Sequence, residues 1–131
     1  MKSEKYRPLS EVHLLHRIWR SELELAAQQV QFWKDLLGTL GEGLDPHVTN
    51  ADTWHTEMNQ LAHFRRLSKR LLDVSQTVDT EVAGGVQEGQ VLDHETRLDH
   101  QYLRQEMDSF HTDFRAFKTE IRQYMIAQPT F

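Results

Sequence analysis

The chain contains no cysteine. That absence excludes a disulfide framework, a thiolate zinc site, an iron–sulfur cluster and a cysteine nucleophile. Glycine and proline are scarce, six and three in 131 residues, and they gather in a few places, so long stretches run without a breaker. No run approaches the ~18 consecutive apolar residues of a membrane span, and Met1–Leu9 lacks the apolar core of a secretion signal. Basic excess is missing too: 15 Lys+Arg stand against 20 Asp+Glu, for a net charge of −5, which argues against general nucleic-acid binding. Almost no stretch alternates as a strand does. These absences describe a cytoplasmic chain forming a single domain over residues 1–131, too short to fill two separate cores. The hydrophobic fraction of 38% and charged fraction of 27% suit a soluble helical protein rather than a disordered one. Histidine is the residue in excess, at eight.

Three segments share a helical period, over about 9–40, 50–83 and 92–126. The first opens at Pro8-Leu9-Ser10, where Ser10 can accept from orphan N–H groups as an N-cap. It closes in the glycines from Gly38 to Gly43. Asp45-Pro46-His47 leads to Thr49 or Asn50, either able to cap the second segment. Gly84-Gly85-Val86-Gln87-Glu88-Gly89 reads as the second connection and the most mobile part of the chain. Pro129 ends the pattern.

Within the first segment, steps alternating between three and four trace Leu9, Val12, His16, Trp19, Leu23, Ala26, Val30, Trp33, Leu37 and Leu40. All but His16 are apolar, a coiled-coil-like seam. In the third segment the seam runs Thr96, His100, Leu103, Met107, Phe110, Phe114, Phe117, Ile121 and Tyr124. The second is less regular: Trp54, Met58, Leu61, Phe64, Ser68, Leu71, Ser75, Val78 and Val82, widened by Leu67, Leu72 and Val74. Three rods of about 30 residues, each about 45 Å long, predict an all-α, antiparallel up-down-up three-helix bundle. With turns centred near Asp45 and Gln87, counting outward sets Ala26 beside Phe64 and Phe110, and Trp33 beside Met58 and Phe117. Apolar meets apolar at these levels, an agreement of local pattern with global register.

The same counting sets His16, Ser75 and His100 at one level, where all three seam positions are polar. Unpartnered, such groups cost on the order of 1–3 kcal/mol each when buried, so they are expected to meet one another or water. The plainer reading is a register device against slipped helix pairings. A sharper one is a transition-metal site with His16 and His100 as principal ligands and Asp99 or His13 completing the set. A third is pH response, since two partly buried imidazoles at one level would gain charge near pH 6 and repel each other. His55, His63 and His111 fall off the seams and read as solvated; His47 falls in a loop.

Other chemistries find little support. Asp52-Thr-Trp-His55 and Asp108-Ser-Phe-His111 echo the Glu-x-x-His of di-iron bundles, but lie mostly off the seam. No serine stands on a strained turn with an oxyanion-hole glycine, and Gly84-Gly85 follows a helix, the wrong setting for a phosphate loop. The cluster Arg65-Arg66-Lys69-Arg70 reads first as a solvated face complementing Glu22, Glu24, Glu106 and Asp108, and second as a site for an acidic partner or phosphates.

Two motifs carry a resemblance: His13-Leu-Leu-His16-Arg-Ile-Trp19-Arg-Ser-Glu22-Leu23, and Asp93-His94 followed by Asp99-His100-Gln-Tyr-Leu103-Arg104 with Phe110 and Phe117. In these the chain resembles a family of short uncharacterised bacterial three-helix proteins. The resemblance implies the three-helix layout over nearly the whole chain, with no activity attached. The chain therefore reads as non-enzymatic, with no catalytic residue or bound cofactor expected beyond the metal alternative. Its expected role is interaction or scaffolding, with a second copy or another helical protein as partner. Leu15, Ile18, Leu25, Phe32 and Leu36 broaden the first apolar stripe and point to a homodimer.

Overall fold

The computed structural model describes residues 9–42, 51–87 and 94–128, and these form three helices: α1 (Leu9–Glu42), α2 (Ala51–Gln87) and α3 (His94–Ile126). No strand occurs among the described residues, and none of these helices is long and apolar enough to cross a membrane. The architecture is an all-α three-helix bundle. Its antiparallel sense follows from α1–α2 pairs whose numbers sum to a near-constant value: Trp54 Nε1–H donates to the Leu37 carbonyl at 2.8 Å, and His13 meets Asp79 at the other end. The α1 and α2 backbones lie close together along their length, and the α3 backbone stands farther from α2.

The predicted seam of α1 is the buried one, from Val12 through Trp19, Leu23, Ala26, Val30 and Leu37 to Leu40. In α3 the buried run includes Leu103, Met107, Phe110, Phe114, Phe117 and Ile121. The α2 stripe differs from expectation at its start. Glu57, not Met58, is buried, and the inward run continues through Leu61, Phe64, Ser68, Leu71, Ser75, Val78 and Val82. Ser68 is tolerated in the core because its hydroxyl donates back to the Phe64 carbonyl at 2.7 Å. Leu15 and Leu36 pack against the core rather than facing outward.

Helix ends depart from the expected boundaries. α1 begins one residue before Ser10, which is therefore inside the helix and not its cap, and α1 continues through Gly38 and Gly41. α2 runs through Gly84-Gly85 to Gln87, where a connection was expected. A glycine in a helix costs only ~1 kcal/mol, which the packing of Val78 and Val82 just upstream offsets. Gln87, the expected turn centre, is therefore still helical. Pro8, Asp45, His47, Thr49, Asn50 and Pro129 lie outside the described residues. The register also differs from the expected one: Phe64 stacks on Phe117 (ring centroids 4.9 Å apart) and touches Phe114 (5.3 Å) more closely than Phe110 (6.3 Å).

Gly41 has a packing reason to be glycine. A Cβ there would come within 2.6 Å of the Trp54 ring, and that ring is held by its hydrogen bond to Leu37. Gly41→Ala is expected to destabilise by about 1–3 kcal/mol despite alanine's better helix propensity. Urea unfolding checks this; a stabilised variant would show that the indole moves freely.

Candidate functional site

The polar layer is built by all three helices. His16, on the core stripe of α1, is fully buried. Its Nε2 lies 2.8 Å from Nδ1 of His100 on α3. Its other nitrogen, Nδ1, lies 3.5 Å from Asp79 Oδ1 on α2 and makes no hydrogen bond. Asp79 is itself nearly buried and takes a 2.6 Å hydrogen bond from His13 Nδ1, one turn before His16. Trp19 covers the pair, stacking on His16 (5.4 Å, 27°) and on His100 (5.7 Å, 24°). Ser75 is fully buried one turn before Asp79, but its hydroxyl has no partner among the described residues.

Charge decides the proton positions. A carboxylate accepts only, so His13 donates from Nδ1 to Asp79. A neutral His16 is favoured with its proton on Nδ1, facing the same carboxylate, because the opposite tautomer would turn a lone pair toward it. His16 Nε2 then accepts, and His100 donates from Nδ1. The result is a directed chain from His100 through His16 toward Asp79, with His13 converging on the same oxygen. Burial lowers the His16 pKa to about 4; the positive charge His100 can carry adds to this, Asp79 works against it, and His13 adds a smaller decrement.

Of the residues proposed as metal ligands, His13, His16 and His100 are thus gathered, the first through Asp79. Asp99 forms no hydrogen bond or ion pair with them among the described residues. Two imidazole nitrogens on one tetrahedral ion would stand about 3.3 Å apart, each aimed at the metal. Here they are closer and aimed at each other. Among the described residues no group of three or more His, Asp or Glu side chains is placed to hold an ion.

No protein-family model, curated protein or solved structure matches this chain. The site must therefore be interpreted from its own geometry.

One polar contact and one buried carboxylate escaped the sequence pattern. His111, expected to be solvated, pairs through Nε2 with Glu22 of α1. Among the acids expected to face the basic cluster, Glu106 does so, bonding Arg70 at 3.3 Å. At the opposite end of the bundle Glu57 is buried, with one carboxylate oxygen unpartnered. Burial and the nearby Glu120 hold its pKa above the ordinary carboxylate range, and burial together with Glu57 raises that of Tyr124. Glu57 stands beside Met58, so an apolar-stripe count selects the wrong neighbour.

Proposed function

We propose that the protein is a non-enzymatic cytoplasmic scaffold that self-associates through the outward face of α1, as a coiled-coil-like homodimer. One observation carries the reading. Leu14, Ile18, Leu25 and Phe32 are 55%, 46%, 55% and 57% exposed. Leu14 and Ile18 each stand two residues from buried His16, about 200° around the helix. Ile18, Leu25 and Phe32 then recur at the seven-residue spacing of a helix-pairing seam. α1 therefore carries two apolar stripes, one filled by the bundle and one facing outward. An antiparallel pairing that sets Leu14 of one protomer against Leu25 of the other also sets Arg17 against Glu24, twice by symmetry.

Sedimentation equilibrium tests it. A dimer is expected at micromolar concentration, and the double substitution Leu25→Glu, Phe32→Glu is expected to give a monomer. Its unfolding free energy per protomer should stay within about 0.5 kcal/mol of a wild-type monomer, because neither side chain is in the core. A wild-type chain that is monomeric at high micromolar concentration overturns the proposal.

A second reading is favoured by the layer around His16: the bundle responds to acid by charging a buried imidazole. In that reading the polar layer sets helix register at neutral pH and loosens the N-terminal end of the bundle below pH 6. Its test is argued in the Discussion.

A further inference from the structure

An open groove of about 360 Å³ runs between α1 and α2. Met58 and Ala62 give it an apolar stretch with buried Leu61 at its floor, and Arg65, Arg66 and Lys69 follow on the next turns of the same helix. Lys34 of α1 adds a cation beside Met58, and α3 contributes nothing to the lining. Every charged group in the groove is therefore a cation, in a chain whose net charge is −5.

These cations also lack an acidic partner among the described residues. The next basic residue, Arg70, is held from α3 by Glu106 and the Tyr102 hydroxyl, each at 3.3 Å. Lys34, Arg65, Arg66 and Lys69 are in no ion pair among the described residues. Repulsion among like charges so close together is relieved by an anion, and paired guanidinium groups present the fork that matches carboxylate or phosphate oxygens.

Size and polarity narrow the occupant. The volume falls in the range of small-molecule sites, roughly 300–1,000 Å³, whereas a docked helix about 10 Å across needs a far larger trough. Met58 to Lys69 spans about 16 Å of helix, apolar at one end and basic at the other. Lys34 stands near the apolar end, where its methylene stem can serve as a wall while the ammonium reaches solvent. The acidic balance of the whole chain opposes adsorption to an anionic bilayer.

We propose that the α1–α2 groove binds a single-chain anionic amphiphile. Its carboxylate or phosphate sits at Arg65, Arg66 and Lys69, and an acyl chain of about ten carbons extends from them over Ala62 to Met58. Calorimetric titration with decyl phosphate and decanoate, below their micelle-forming concentrations, tests this alongside the Met58 methyl resonance. Saturable one-to-one binding that moves the Met58 signal is expected. The pair Arg65→Ser, Arg66→Ser should weaken it at least tenfold, whereas Arg104→Ser, Arg115→Ser, with equal loss of charge, should leave it unchanged. Decanol and inorganic phosphate should each bind at least tenfold more weakly than decyl phosphate. Absence of binding, equal weakening by both pairs, or equal affinity for inorganic phosphate overturns the proposal. So does preferential binding to anionic phospholipid vesicles or to an acidic helical peptide. The Leu25→Glu, Phe32→Glu chain should bind as the wild type does, so this site and self-association stand or fall separately.

Discussion

Phe64→Ala is expected to destabilise the protein by about 3–5 kcal/mol, the largest single-residue loss predicted for this molecule. The ring is nearly buried and meets three phenylalanines of α3, stacking on Phe117 and tilting against Phe114, with Phe110 edge-on beyond them. Removing it takes apolar surface out of the core and leaves a gap that those rings cannot close, because each packs among its own neighbours. The α3 backbone lies farther from α2 than that of α1 does, so large rings such as these fill the space between them and help to fasten the third helix. Against a usual total of about 5–15 kcal/mol, such a loss lowers the melting temperature by roughly 10–20 °C. Phe64→Leu, which retains most of the volume, should cost less than half as much. A loss under 1 kcal/mol on Phe64→Ala in urea unfolding would show that the aromatic cluster does not hold α3.

The three-helix architecture was legible because α1 and α3 obey their period almost without exception. α2 was harder for a physical reason. Its inward run includes Glu57, Ser68 and Ser75, while the neighbouring Met58 and Leu67 are only partly buried, so hydrophobicity alone misplaces the stripe near its start. Gly84-Gly85 misled in another way, since local propensity marks a break that upstream packing overrides.

The site was half legible for the same kind of reason. His16 and His100 occupy seam positions on parallel helices, so counting from the turns brings them to one level. Asp79 occupies no seam position, being next to Val78. Nothing in the pattern says that it turns inward to receive His13 and face His16. His111 and Glu22 likewise lie off the seams, and their pairing across α1 and α3 depends on how far α3 rotates toward α1. The Ser75 hydroxyl shows the limit of level counting, which finds neighbours without deciding which of them bond.

Acidification from pH 6.5 to 4 is expected to cost on the order of 2–3 kcal/mol through His16 alone. Unfolded, this imidazole takes up its proton near pH 6.5; folded, it stays neutral until about pH 4. Across that window the unfolded chain binds the extra proton. The stabilisation is therefore complete above pH 6.5 and lost as pH falls toward 4. The groups facing His16 explain the depth of the shift. His13 on its own helix and His100 from α3 oppose a further positive charge, and Asp79 from α2 only partly compensates for the missing water. Glu57 acts with the opposite sign: its raised carboxyl pKa favours the folded state on acidification, toward the lower end of the window, so the net slope understates His16. His16→Gln separates the terms, because an amide can accept from His100 and donate toward Asp79 yet does not titrate in this range. Urea midpoints from pH 7.5 to 4.5 should fall more steeply for the wild type than for His16→Gln. Imidazole resonances should show His16 still neutral at pH 5. Parallel slopes, or a His16 resonance that titrates near pH 6.5, would mean that the layer does not exclude charge, and the acid-response reading would fail with it.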